Sequence, residues 1–204
     1  VVASGGGTGP TGRGGTAPAP TTAGATIEEV EIPGRPNGVA IANGRAYVTI
    51  PRAERLREVD LGRFDEARPG PRVGRGAFDV DAGYGALWVT SASDTRRLVR
   101  IDLKTGLRRV HGLPEGTPVA VEAGENAVWV GMRGARLRSF PTHRVLRIDP
   151  RTMRIVAAVE VPRGVQDMTV GGGAVWVSNR ATDTVTRIDA ASGQAKWTYR
   201  LFEE

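Results

Sequence analysis

The chain has 204 residues, of which 40% are hydrophobic and 25% charged, and it contains no cysteine. This composition is typical of a globular protein of one or at most two domains, and it excludes disulfides, thiolate metal sites and a cysteine nucleophile. The net charge is +6, and every basic residue except Lys104 and Lys196 is arginine. The charge favours polyanionic partners, although codon usage alone can enrich a chain in arginine.

Residues 1–25 differ in composition from the rest of the chain. They contain eight Gly, five Thr, five Ala and three Pro, and Arg13 is their only charged residue. Such a segment cannot bury enough apolar surface to offset the entropy of ordering, so we predict a flexible linker. The apolar residues 1–3 indicate the end of a longer hydrophobic segment, and we therefore expect an extracytoplasmic chain tethered from upstream. The alternative is an arbitrary start to a soluble chain.

From residue 26 onward the sequence repeats four times. Each repeat has an apolar strand centred on an aromatic residue, followed by a strand that ends in aspartate. The aromatic residues are Tyr47, Trp88, Trp129 and Trp176, and the aspartates are Asp60, Asp102, Asp149 and Asp189. Shorter strands before each aromatic and after each aspartate complete four strands per repeat. We predict repeat boundaries of about 36–75, 76–116, 117–164 and 165–204, with an additional outer strand over 27–32.

The aspartates have a local role that requires no catalysis. Asp102 to Gly106 and Asp189 to Gly193 place a carboxylate at the start of a turn and a glycine where positive φ is expected. Runs such as Ala-Val-Trp-Val are apolar at consecutive positions, so both faces of these strands must be covered. Stacked four-stranded sheets provide that cover.

A period of 41 to 47 residues with four strands per unit is typical of a β-propeller, an all-β fold. Tyr47-Val48-Thr49, Trp88-Val89-Thr90 and Trp176-Val177-Ser178, each followed by a strand ending in Asp, resemble the YVTN/NHL-type propeller repeats of bacterial exported proteins. The resemblance covers about residues 27–204. It implies a fold that occurs in surface proteins, in sensor domains of membrane kinases, in RNA-binding modules and in a few lyases. Repeat one departs from the motif, with Ile50 in place of Asn and Glu58 in place of Arg.

Four repeats are few for a closed ring, so we expect a small or an incomplete one. An open stack of blades leaves the apolar faces of its end blades bare, which favours association with a second copy or with a further part of the polypeptide.

Arginines concentrate on one predicted rim, formed by the loops between second and third strands. A candidate ligand-binding set follows from their positions: Arg52, Arg55, Arg96, Arg97, Arg133, Arg136, Arg138, Phe140, His143, Arg144 and Arg180. Codon usage would scatter arginine over both rims, so the concentration points to an anion-binding face; the alternative is an ordinary solvated loop set. The third loop is six residues longer than the others, and its Phe140 and His143 either stack on a ligand or, through Phe140-Pro141, anchor the loop.

Enzymatic function has weaker support in the sequence. Neither His111 nor His143 has the neighbouring acid that would suit the histidine–carboxylate metal site of propeller lyases, and no nucleotide-binding or hydrolase motif occurs. Acids on or near the innermost strands could face a central channel and bind a divalent cation: Asp79, Asp81, Glu122 and Asp167.

We therefore expect a non-catalytic, extracytoplasmic binding or sensing propeller without a cofactor. Its expected partners are an anionic cell-surface polymer or a protein, and a homo-oligomer is possible. The alternatives are a lyase-like enzyme with a divalent metal in the channel, and a nucleic-acid-binding propeller, which the scarcity of exposed aromatics disfavours.

Overall fold

The chain folds into four antiparallel sheets of four strands each. The computed structural model describes residues 28–93, 95–134 and 143–200, which form sixteen strands and no helix. Within these residues there is accordingly no apolar helix of membrane-spanning length. The strands are β1 Val39–Ala42, β2 Arg45–Val48, β3 Arg55–Asp60, β4 Ala67–Arg72, β5 Ala77–Gly83, β6 Ala86–Ser91, β7 Arg97–Asp102, β8 Arg108–Gly112, β9 Thr117–Gly124, β10 Ala127–Arg133, β11 Arg144–Ile148, β12 Ile155–Glu160, β13 Val165–Gly171, β14 Ala174–Asn179, β15 Thr184–Asp189 and β16 Gln194–Arg200.

Each sheet takes its four strands in chain order, as a propeller blade does, so blade one is β1–β4, blade two β5–β8, blade three β9–β12 and blade four β13–β16. The second strand carries the aromatic residue of the repeat. In blades two to four this residue lies opposite an arginine of the third strand, whose guanidinium stands over the indole ring. The distances to the ring centre are 5.7 Å for Arg100 over Trp88, 5.6 Å for Arg147 over Trp129 and 5.8 Å for Arg187 over Trp176. Glu58 replaces the arginine in blade one and pairs with Arg45 instead.

The turns between third and fourth strands confirm the predicted role of the aspartates. Asp102 Oδ1 accepts the backbone N–H of Thr105 at 3.0 Å and its hydroxyl at 2.9 Å. Asp149 makes the same two bonds with Thr152, and Asp189 makes them with Ser192. These bonds close the turn in blades two to four, and they hold the pKa of Asp102 at about 2.

The blades stack face against face, and the three hydrophobic cores of the protein lie between consecutive blades. We call the face that carries the aromatic residue the trailing face of a blade, and the opposite one its leading face. Tyr47 of blade one packs on the leading face of blade two, Trp88 packs on blade three, and Trp129 packs on blade four. Trp88 and Trp129 are fully buried and Tyr47 nearly so, as the repeat pattern predicted.

Over the residues that the structure describes, the stack of blades is open. The innermost strands of consecutive blades lie side by side, β1 with β5, β5 with β9, and β9 with β13. The two end strands, β1 and β13, do not pack against each other in this way, although residues of both line a central cavity. The described residues therefore provide four blades of a propeller whose two end faces are separate.

Two expectations from the sequence are wrong, and both errors concern the ends of the stack. Trp176 was expected in the core but is 36% exposed, because none of the four described blades covers the trailing face of blade four. No strand forms over residues 28–32 of the predicted additional strand 27–32. Each of the four sheets already has an outer strand of its own, namely β4, β8, β12 and β16, so no described blade has a place for that segment.

Candidate functional site

One rim of the propeller is formed by the loops between second and third strands together with the connections between blades. Backbone hydrogen bonds tie these two sets of segments together, for example from Val73 N–H to the Glu54 carbonyl at 2.8 Å and from Arg180 N–H to the Gly164 carbonyl at 2.8 Å. We call the described basic residues of these segments and of the adjoining strand ends the arginine rim: Arg52, Arg55, Arg72, Arg75, Arg96, Arg97, Arg133, Arg144, Arg163 and Arg180. The acids in the same segments are Glu54, Glu115, Glu160 and Asp183.

The opposite rim carries both signs of charge in similar number. Its basic residues at turns and strand ends are Arg45, Arg63, Lys104, Arg151 and Arg154, and its acids are Asp60, Asp65, Glu66, Asp102, Glu125, Asp149 and Asp189. Positive charge is therefore concentrated on one side among the described residues. Fields of like charges add when the charges share a face, so the electrostatic potential at the arginine rim is more positive than the net charge alone implies.

The predicted ligand-binding residues fall into three groups in the structure. Arg52, Arg96 and Arg180 are exposed on their loops. The predicted residues Arg136, Arg138 and Phe140 lie outside the described residues. The others line the rim but also make contacts within the protein.

Those internal contacts join the rim segments to one another. Arg55 donates to the Gly70 carbonyl at 3.0 Å, and Arg97 donates to the Arg75 carbonyl at 3.5 Å. Arg133 donates to the Val165 carbonyl at 3.1 Å and to the Gln166 side chain at 3.0 Å, which connects blade three to blade four. Part of the donor capacity of these arginines is therefore used to hold the rim together.

His143 bonds to Gly134 and to the connection between blades three and four, and Arg144 follows it, half-buried, at the start of β11. The Nδ1 atom of His143 accepts the backbone N–H groups of Gly134 at 3.1 Å and Gly164 at 3.4 Å. Burial, followed by the charges of Arg163 and Arg133, lowers the pKa of this imidazole. A neutral imidazole suits an acceptor of two N–H bonds, so His143 connects Gly134 to Gly164 rather than adding charge to the rim.

A second set of basic side chains converges between blades one and two. Arg108 donates to the Val73 carbonyl at 3.4 Å, and burial together with the charges of Arg97 and Arg72 lowers the pKa of its guanidinium. Like charges that are held together in this way favour a bound anion, which would relieve their repulsion. The sequence placed Arg108 in an outer strand, and nothing local to it indicated that its side chain would reach the rim connection at Val73.

The innermost strands of the four blades line a central cavity of about 600 Å³. The predicted channel acids Asp79, Asp81, Glu122 and Asp167 all border it, together with Asn37 and Gln166. Because Arg133 bonds to Gln166, one arginine of the rim stands at the edge of this cavity. The cavity is acidic, whereas the rim beside it is basic.

The channel carboxylates bond to the next blade, a role that the sequence did not predict. Asp79 Oδ2 accepts the backbone N–H of Val121 at 2.9 Å, and Asp81 Oδ2 accepts that of Ala123 at 2.7 Å. The inner strand of a blade pairs with only one neighbour, so these acids satisfy donors that would otherwise lack a partner. The sequence feature that could have indicated this role is the alternation of acids with apolar residues along β5.

Burial and mutual repulsion raise two pKa values in the channel. Burial raises the pKa of Asp79 to about 6, with smaller contributions from Asp167 and Asp81. Burial raises the pKa of Glu122 to about 8, and the charges of Asp81 and Asp79 add to it. Glu122 is therefore mainly protonated at neutral pH. Among the described residues, no three His, Cys, Asp or Glu side chains are grouped so as to hold a metal ion.

Comparison with known proteins supports the fold. No family model matches the chain, and no curated protein matches it in sequence. A nidogen/laminin complex is similar in structure, with a TM-score of 0.65, 17% identity and 81% of this chain covered. Streptogramin B lyase has a TM-score of 0.66 at 18% identity over 81% of this chain. The β-propeller domain of a Myceliophteria thermophila protein has a TM-score of 0.58 at 12% identity over 81%.

The chain spans only part of these structures, namely 63% of the first, 54% of the second and 58% of the third. At these identities the likeness concerns the fold alone. On the evidence of its four four-stranded blades and of these structural neighbours, the chain is an all-β propeller.

Proposed function

We propose that this propeller is a non-catalytic binding domain that contacts an anionic polymer through the arginine rim. The observation that carries the proposal is the one-sided distribution of arginine: among the described residues the rim is rich in arginine, and the opposite rim is balanced. Arginine suits this role because its planar guanidinium donates two parallel hydrogen bonds to a carboxylate, sulfate or phosphate group.

The exposed members of the rim come from several blades. Arg52 belongs to blade one, Arg96 to blade two and Arg180 to blade four, and Arg163 lies between blades three and four. An extended ligand would therefore meet charge from consecutive blades, whereas a small anion would meet only one or two arginines. This arrangement favours a polymer with a repeating negative charge.

Three other functions remain as alternatives to this proposal. Protein binding is one, because a structural neighbour is a nidogen/laminin complex. A lyase-like enzyme with a divalent metal at the channel carboxylates is another, because Asp79 and Glu122 share a cavity and a lyase is among the neighbours. A nucleic-acid-binding propeller is the third, and it would use the same arginines.

We also propose an extracytoplasmic location for the domain. The proposal is supported by the linker-like composition of residues 1–25 and by the resemblance of the repeats to the YVTN/NHL type. An anionic cell-surface polymer would be available to the arginine rim in that location.

Heparin is a suitable probe, and its affinity for the full chain should be measured over a range of salt concentrations. Replacing Arg163 and Arg180 by Ser should weaken binding about tenfold and make its salt dependence shallower, because two contacts to the polymer are lost. The matched control replaces Arg151 and Arg154, two exposed arginines of the opposite rim, by Ser. It removes the same charge and should change the affinity little.

Equal losses in the two double variants would mean that net charge alone drives binding and would contradict the proposal. Salt-independent binding of a neutral protein would favour the first alternative. A divalent metal that is retained through dialysis and lost in Glu122→Gln would favour the second. Tighter binding of single-stranded RNA than of heparin at equal salt would favour the third.

A further inference from the structure

The trailing face of blade four is an uncovered copy of a surface that is buried in the other blades. Trp176 is 36% exposed, whereas its equivalents Trp88 and Trp129 are fully buried. Val185 takes the place of Leu98 and is half-buried. An apolar cleft of about 220 Å³ lies here, lined by Asp167, Met168, Thr169, Trp176, Ser178 and Val185.

The leading face of blade one exposes the opposite half of the same blade-to-blade contact. By strand register, Val39 of β1 corresponds to Val80 and Val121, the positions that receive the preceding blade. Val80 is 3% exposed and Val121 1%, whereas Val39 is 65% exposed. Ile41, two residues further along β1, is 66% exposed. The protein thus exposes both halves of its own blade-to-blade contact, one at each end of the stack.

The polar groups at the two ends match as well. Asp79 bonds its own chain neighbour, Val80 N–H, through Oδ1 at 2.9 Å and the next blade, Val121 N–H, through Oδ2 at 2.9 Å. Asp167 is the equivalent acid of blade four, and its Oδ1 accepts Met168 N–H at 2.9 Å in the same way. The position that corresponds to Val121 in blade one is Val39. The Asp167 carboxylate is therefore oriented so that its Oδ2 could accept the Val39 N–H of a blade docked on this face.

Glycines mark the closest approach between blades. A Cβ at Gly83 would lie 2.7 Å from the Ala123 Cβ, and one at Gly124 would lie 2.5 Å from a Val170 methyl group. The equivalent glycine of blade four is Gly171, where an added Cβ meets nothing within 4 Å. Gly171 therefore leaves space for a neighbouring blade on the trailing face. In blade one the residue that corresponds to Val170 is Ile41, so Ile41 would pack on Gly171 as Val170 packs on Gly124.

We propose that the partner of this face is a second copy of the chain, whose blade one docks its leading face on the trailing face of blade four. The contact continues the interface that already joins blades one to two, two to three and three to four, and it pairs two different surfaces. A contact of this kind closes into a ring when each of two copies contributes both surfaces. Two open stacks would then share two identical joints.

One difference makes the joint weaker than the internal ones. Arg57 stands on the leading face of blade one at the position of the apolar residues Val99 and Leu146. A charge at that place raises the cost of desolvating the surface. We therefore expect a reversible dimer rather than a permanent one.

The test uses the full chain and measures its mass by light scattering over a wide range of concentrations. The wild type should rise from the 21.6 kDa of one chain towards twice that mass. Gly171→Val blocks the trailing face and should leave the fold intact, because the site is open in the single chain. Ile41→Asp blocks the leading face at an exposed position. Each variant alone should keep the mass of one chain at concentrations where the wild type is dimeric.

An equimolar mixture of the two variants should recover a dimer, because one variant retains an intact leading face and the other an intact trailing face. Circular dichroism of each variant establishes that it is folded. A wild type that keeps the mass of one chain at all concentrations overturns the proposal. A loss of dimer in Gly171→Val but not in Ile41→Asp also overturns it, because it would show that blade four pairs with blade four. A mixture that fails to recover a dimer overturns the pairing of unlike faces.

Discussion

Trp129 and Trp176 occupy the same position of two repeats, each under an arginine, but only Trp129 is covered by a following blade. Trp129→Ala should lower the free energy of unfolding by about 3 to 5 kcal/mol, as truncation of a large buried aromatic does. Trp176→Ala should cost less than half as much. Urea denaturation checks both values at a concentration where the chain is monomeric. Equal losses would mean that Trp176 is buried in the single chain.

The raised pKa of Glu122 predicts the pH dependence of stability. The folded chain binds a proton at this site up to about pH 8, whereas the unfolded chain releases it near the ordinary pKa of 4.5. The folded state therefore holds more protons in this window, and stability falls as the pH rises through it. Asp79, with a pKa raised to about 6, contributes in the same direction over the lower part of the window.

Glu122→Gln should reduce this loss, because glutamine does not titrate and can still accept a hydrogen bond. Relative to the wild type, the variant should gain about 1 to 2 kcal/mol between about pH 5 and about pH 8, a figure reduced for the partial exposure of the side chain. Urea denaturation at the two pH values provides the measurement. Parallel pH profiles for variant and wild type would show that Glu122 does not titrate between them.

The residue types of the channel predicted its position but not its contacts. The pattern of residues along β5 and β9, in which acids alternate with apolar side chains, places Asp79, Asp81 and Glu122 towards the axis. Their bonds to Val121 and Ala123 depend on the angle between blades, which no local pattern encodes. The contact of Arg108 with Val73 could not be predicted either, because it also depends on how two blades are oriented.

At the scale of single elements, the ends of the inner strands control how closely blades approach. Gly83→Ala should cost about 1 to 3 kcal/mol, because the new methyl group would clash with the Ala123 carbonyl and Cβ of the next inner strand. Gly171→Ala is the matched control in blade four. It should be neutral or slightly stabilising in the monomer, since alanine costs less entropy than glycine in a strand. Thermal unfolding of both variants tests the difference, and a tolerated Gly83→Ala would mean that the blades can move apart.

The sequence predicted the strands well where a repeated pattern specified them. The four aromatic strands and the aspartate turns are determined by local chemistry, and the structure contains all of them. The segment 27–32 also mixes charged and apolar residues but forms no strand over 28–32. Such a composition shows only that a segment can pair, and pairing also needs a neighbouring strand with a free edge.

At the scale of the whole molecule, the sequence left open whether four blades close. Closure depends on the angle between successive sheets, to which every interfacial side chain contributes a little, so no single motif reports it. The structure resolves the question through Val39 and Trp176, which are exposed at the two ends although their equivalents are buried. The clustering of arginine on one rim could be predicted, because the order of strands alone assigns each loop to a side.

The likeness of all blade-to-blade contacts has a consequence for how such a chain can evolve. Tyr47, Trp88 and Trp129 follow one another at intervals of 41 residues, and each meets the same kind of surface on the next blade. A gene duplication that inserts one whole repeat at a blade boundary would supply both surfaces that its new neighbours require. An insertion of half a repeat would supply neither and would expose the edge of a strand. Selection can therefore change the length of this protein in steps of one blade without redesigning any interface.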